Sequence, residues 1–100
     1  MEIYKVIMNP KAENDLDEIA DGLATLSEQA ALKYYDLIIE KIESLSEMPK
    51  RFPLAMDVQL RLRGYRTMYV KNYIVFYVIE GNIVEIRRIL YARRQYEKLI

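Results

Sequence analysis

The order of hydrophobic patterns along this 100-residue chain predicts an α+β fold. Three observations carry the prediction. Residues 2–8 alternate in a strand-like period of two, with Ile3, Lys5 and Ile7 set against Tyr4, Val6 and Met8. Residues 12–45 place apolar side chains at helical spacing in two consecutive stretches. Residues 65–91 form three apolar runs parted only by the short turns Lys71-Asn72 and Glu80-Gly81-Asn82, which reads as an antiparallel meander.

Each element follows from its residues. The opening strand, with apolar residues on both sides, is expected to be mostly buried on both faces. Asn9 and Pro10 start a helix, one as cap and the other at the first helical position. Ala12, Leu16, Ile19, Ala20 and Leu23 form its inner stripe, and Gly22 and Thr25 weaken its end. Ser27 caps a second, longer helix whose stripe is Ala31, Tyr35, Ile38, Ile42 and Leu45, widened by Leu37 and Ile39. Met48-Pro49 ends it, because a residue before proline is disfavoured in helical geometry. The two helices should form an antiparallel hairpin.

Residues 50–64 have the least periodicity. Phe52-Pro53-Leu54 reads as a loop that tucks an aromatic under itself, and Val58, Leu60 and Leu62 hint at a short strand with Arg61 and Arg63 on its other side. The three runs of residues 65–91 then supply the sheet. The central run puts Ile74, Phe76 and Val78 on one face and Tyr73, Val75 and Tyr77 on the other. The last run puts Val84, Ile86, Arg88 and Leu90 on one face, opposite Ile83, Glu85, Arg87, Ile89 and Tyr91. A short helix is expected over residues 92–100. The opening strand must join the same sheet to satisfy its backbone groups, giving four mainly antiparallel strands. The helical hairpin covers one face, and the other should be partly open. Nothing marks a linker or repeat, so one domain over residues 1–100 is expected.

Composition narrows the chemistry. A content of 52% hydrophobic and 30% charged residues is that of a folded chain. With no cysteine and no histidine, thiolate chemistry is excluded and a zinc site is not expected. No apolar run spans a membrane and no secretory signal opens the chain, so a cytoplasmic location is expected. The net charge of zero hides a division: residues 1–48 hold four basic and eleven acidic side chains, residues 49–100 eleven basic and four acidic. A positive half points to an anionic partner, nucleic acid or acidic protein, or else the halves pair with one another. Arg87 and Arg88 point to opposite sides, so one of them should pair with a helix carboxylate such as Asp15 or Glu18.

Arg66, Arg93, Arg94, Tyr91 and Tyr96 are the candidates for chemistry. Arginine forks match phosphate oxygens and tyrosine rings stack on bases. Such a cluster could also stabilise charge at a scissile phosphate without a metal. The competing reading packs Tyr96 on the sheet and leaves Arg93 and Arg94 solvated. Glu13, Asp17 and Asp21, spaced four apart, read as a solvated helix face.

The ordered combination of these features resembles the RelE/ParE superfamily of bacterial type II toxin–antitoxin toxins. It runs through Asn9-Pro10, Asp15-Leu16, Ile19, Met48-Pro49 and Leu62-Arg63-Gly64-Tyr65-Arg66, then Asn72-Tyr73-Ile74-Val75-Phe76-Tyr77 and Ile86 to Tyr96. The resemblance implies two helices packed on an antiparallel sheet, and an antitoxin that wraps the toxin with an acidic segment in a hetero-oligomer. The RelE-like branch cleaves mRNA in the ribosomal A site without metal; the ParE-like branch poisons DNA gyrase and is not a nuclease. Carried over by residue, Arg66 and Arg93 fall where the RelE-like branch often has cations, and Tyr96 lies near its late tyrosine. Ile74 and Met68 stand where that branch carries further basic residues. Their loss should cost orders of magnitude at a site that works by charge.

The expectation is therefore a toxin that arrests growth, neutralised by a cognate antitoxin, ParE-like, directed at gyrase and using no cofactor or metal. The alternatives are a ribosome-dependent mRNA interferase with catalytic candidates Arg66, Arg93, Arg94 and Tyr96, and a non-enzymatic or degenerate interaction module. Target or nucleic-acid binding is assigned to Arg61, Arg63, Arg66, Tyr91, Arg93 and Arg94.

Overall fold

The computed structural model describes residues 2–93 and 100. The helix expected over residues 92–100 falls largely outside them, as do Arg94 and Tyr96. Strand β1 (Lys5–Met8) leads directly into helix α1 (Pro10–Ala24), followed by helix α2 (Glu28–Glu43). Two 3-10 turns and a short helix α3 (Val58–Leu62) precede strands β2 (Arg66–Val70), β3 (Tyr73–Glu80) and β4 (Ile83–Tyr91). The sheet order is β1-β4-β3-β2, with β2–β3 and β3–β4 antiparallel and β1 parallel to β4. This is the α+β arrangement expected, a four-stranded mainly antiparallel sheet beneath a helical hairpin.

The helix starts are set by local chemistry. Asn9 Oδ1 accepts from the Lys11 amide at 2.9 Å, and Ser27 Oγ accepts from the Ala30 amide at 3.1 Å. The inner stripes pack Ala12, Leu16, Ile38, Ile42 and Leu45 onto Met68, Val75, Tyr77, Val84 and Ile86 of the sheet. Tyr35 departs from the expected stripe. It is exposed, and its neighbour Tyr34 instead meets Tyr73 edge to face, with ring centroids 6.3 Å apart. After α2 the chain turns sharply at Met48, whose φ of 49° is left-handed and strained for a side chain with a Cβ. Arg51 holds that turn by donating to the carbonyls of Ser44, Glu47 and Met48.

Three expectations need correction and one needs narrowing. Residues 58–62 are helical, not a strand: Asp57 Oδ2 accepts from the Leu60 amide at 3.0 Å, and Gly64, at φ 80°, closes the other end. The second face of the sheet is partly open, as expected, but only beside β1. Ala55, Leu60 and Tyr65 lie over Ile74, Phe76, Val78 and Leu90 as a second core, so β3 is buried on both sides. The opening strand is not buried on both faces; Val6 and Met8 face the helices, while Ile3 and Ile7 are exposed. In β4, strict alternation fails at a bulge. Phe76 pairs with Arg88 but Tyr77 pairs with Ile86, so Arg87 is an extra residue. Ile89 thereby enters the core under the helices and Leu90 the second core, the reverse of the simple alternation.

Candidate functional site

The bulge places Arg87 and Arg88 in different surroundings. Arg88 reaches α1, where Asp15 takes a two-pronged contact: Nε to Oδ2 at 2.7 Å and Nη2 to Oδ1 at 2.9 Å. Asp15 Oδ2 also accepts from the Ile89 amide at 2.9 Å, so this carboxylate, only 6% exposed, bonds both the guanidinium and the bulged backbone. Its hydrogen bond favours the charged guanidinium and raises the Arg88 pKa further, against the opposing effect of burial. Of the two carboxylates expected as partners, Asp15 makes the contact.

Arg87 points away from the helices. Its Nε lies 2.5 Å from Glu85 Oε1 as an ion pair without proper hydrogen-bond geometry. Its guanidinium carbon sits 5.9 Å from the centre of the Tyr65 ring, and Arg63 approaches the same ring at 5.2 Å. Tyr65 is buried, so its ring holds the two arginines but offers no free face to a base. Lys11, in the first turn of α1, completes the edge of a cavity of about 200 Å³ lined by Asn9, Lys11, Arg63, Tyr65, Arg87 and Arg88, with Ile100 at its rim. Four cations share this cavity, and Asp15 and Glu85 neutralise part of their charge. The arrangement can bind an oxyanion at the helix N-terminus, and among the described residues the cavity lining includes no histidine or carboxylate to serve as a proton carrier.

Among the sequence candidates that fall within the described residues, only Arg63 belongs to this cluster. Arg66 Nη1 donates to the Phe52 carbonyl at 2.7 Å and the Lys50 carbonyl at 3.3 Å, tying residues 50–52 to the sheet. Tyr91 stacks edge to face on Tyr73 with centroids 5.8 Å apart. Burial, then the neighbouring Tyr34 and Tyr91 phenols, raise the Tyr73 pKa. Arg61 is exposed on α3, and Arg93 is exposed beyond the end of β4. Met68 and Ile74 are each 1% exposed, one in the core under the helices and the other in the second core. Tyr77 donates to the Pro49 carbonyl at 2.6 Å, and burial pushes its phenol up to about 12, against the opposing pull of Arg66 and Arg51. Glu13, Asp17 and Asp21 are exposed, as a solvated helix face should be. Among the described residues no cluster of carboxylates could hold a metal.

Sequence reasoning missed Lys11, Arg87 and Arg88 as one cluster. The Asn9-Pro10 start did place Lys11 at a helix N-terminus. What it lacked was the Met8–Ile86 register, which brings that helix end beside the β4 bulge. On the other side of the molecule, α1 and α2 leave a shallow groove lined by Ala20, Ala24, Ala31 and Leu32 with Asp21 and Glu28 at its rim. Among the described residues no helix is long and apolar enough to cross a membrane.

Comparison with known proteins agrees with this architecture. A family model described as "ParE toxin of type II toxin-antitoxin system, parDE" matches residues 6–96. No curated protein matches the chain. A solved structure from P. aeruginosa, titled a chromosomal ParDE TA system, is similar in fold at a TM-score of 0.79 and 21% identity. The match covers 93% of this chain and 100% of that one. With the family model spanning nearly the whole sequence from β1 onward, the chain belongs to the ParE toxin family of type II toxin–antitoxin systems.

Proposed function

We propose that this toxin acts on DNA gyrase, is not a ribosome-dependent nuclease, and is held inactive by a cognate antitoxin. The observation that carries this reading is the state of the cationic positions a RelE-like RNase would need. Arg66 is engaged by the carbonyls of Lys50 and Phe52, and Met68 and Ile74 are buried in separate apolar cores. No two of these positions can present positive charge to one phosphate. A phenol pushed up to about 12 and bonded to a carbonyl, as Tyr77 is, is also a poor proton acceptor near neutral pH.

Induced expression should arrest growth and accumulate covalent gyrase–DNA complexes with an SOS response, and co-expression of the neighbouring reading frame should relieve the arrest. Codon-phased mRNA cuts on ribosomes that disappear in Arg93→Ala would make the RNase reading correct instead. Absence of arrest would favour an interaction module.

A further inference from the structure

The cavity between Lys11, Arg63 and Arg87 adjoins a second feature of the same face. In β1 and β4, Lys5, Ile7, Ile83, Glu85 and Arg87 alternate away from the helices. The second core covers β3 and the far end of β4 but stops short of β1. Ile3, Ile7 and Ile83 are therefore left 59%, 38% and 37% exposed, and Ile7, opposite Glu85 in the register, is the one nearest Arg87. A strip of isoleucines at the edge of a cationic cavity is a mixed surface of the kind that peptides recognise.

We infer that this face is where the antitoxin docks, with an apolar segment over Ile3, Ile7 and Ile83 and a carboxylate side chain seated among Lys11, Arg63 and Arg87. The inference rests on the toxin–antitoxin reading above and assigns it a surface. Three features favour an acidic peptide over nucleic acid. The cavity, at about 200 Å³, suits one oxyanion and not a run of phosphates. Tyr65 is buried under its arginines, so among the described residues that line the cavity no aromatic ring faces outward for a base. Exposed isoleucines give a phosphate backbone nothing to bind, whereas they match the apolar residues of a peptide. The groove between α1 and α2, with Asp21 and Glu28 at its rim, has the wrong sign for the same partner.

The test measures affinity of purified toxin for the product of the neighbouring reading frame, with circular dichroism confirming that each variant folds. Lys11→Glu and Arg63→Glu alter exposed side chains and should each weaken binding at least tenfold and flatten its salt dependence. Ile7→Asp should weaken it comparably through the apolar strip. Leu32→Asp in the helical groove should leave it unchanged. If wild-type toxin binds and Lys11→Glu, Arg63→Glu and Ile7→Asp bind equally well, or only Leu32→Asp loses affinity, the assigned surface is wrong while the toxin–antitoxin reading stands. If a short DNA duplex competes for binding and its own affinity depends on Lys11 and Arg63, the site belongs to nucleic acid and the inference fails. If wild-type toxin does not bind that product at all, the toxin–antitoxin reading itself falls, and with it the surface.

Discussion

At the residue scale, Tyr77 shows how a titratable side chain on the central strand becomes structural. It lies in the middle of the central strand, wholly buried, and its hydroxyl donates to the Pro49 carbonyl at 2.6 Å. Burial costs the ionised phenolate far more than the neutral phenol, which is why its pKa rises from 10.0 to about 12 although Arg66 and Arg51 pull the other way. The folded chain therefore keeps a proton that the unfolded chain releases above pH 10. The stability Tyr77 provides is complete below that value and is lost as pH climbs through 12, by up to about 1.4 kcal/mol per pH unit. Urea denaturation of wild type and Tyr77→Phe should differ by about 1 kcal/mol below pH 10, because the Pro49 carbonyl loses its donor. That difference should shrink, then reverse, at higher pH. A wild-type minus Tyr77→Phe difference in phenolate ultraviolet absorbance that titrates near 10 in the folded state would contradict this account.

At the element scale, the joint between α1 and β4 is the clearest case of sequence giving the parts but not their arrangement. Asp15 bonds Arg88 and the Ile89 amide together, so the helix is fastened to the sheet where the strand is irregular. Asp15→Ala removes the acceptor of a buried backbone donor and the carboxylate of a half-buried guanidinium together, a loss of about 3–5 kcal/mol. Thermal or urea unfolding measures it, and a loss below about 1 kcal/mol would mean that other groups replace the contact. The caps Asn9 and Ser27 were legible because each acts within three residues of itself. The meander was legible because its turns are short and Gly81, at φ 59°, permits the sharp reversal of the second. The Asp15–Arg88 pairing was one of four that the sequence allowed, Arg87 or Arg88 against Asp15 or Glu18. The bulge was not legible, because two adjacent arginines carry no mark of which one is the extra residue. Residues 58–62 misled because Val58, Leu60 and Leu62 alternate as a strand would. The local signals that outweigh the alternation are the cap at Asp57 and the left-handed Gly64. The cationic cavity stayed hidden for a related reason: its members come from α1, the α3 turn and β4, and only long-range register joins them.

At the scale of the whole molecule, one sheet is shared by two cores of unequal strength. The helix side is covered by two helices of 15 and 16 residues that contribute Leu16, Ile38 and Ile42. Among the described residues, the other side is covered chiefly by residues 53–65, with Ala92 and Ile100 beside them; the one helix of that segment has 5 residues and leaves Met56, Val58 and Leu62 largely exposed. A cover with so little buried apolar surface should open before the rest of the fold does. Leu60 is its principal anchor, 2% exposed against Ile74, Phe76 and Val78. Native-state hydrogen exchange should find the Leu60, Arg63 and Tyr65 amides less protected than those of Val75 and Tyr77. Leu60→Ala should lower their opening energy by about 2–5 kcal/mol and leave the α1 and α2 amides much closer to wild type. Uniform loss of protection across helices and cover would show instead that the two cores unfold as one unit. The distinction bears on function, because Arg63 and Tyr65 sit at the end of this cover and form one wall of the cationic cavity. A cover that opens independently would loosen that wall while α1 and β4 hold Lys11 and Arg88 in place. Binding of an acidic partner there should then slow exchange in residues 55–65 more than anywhere else in the chain.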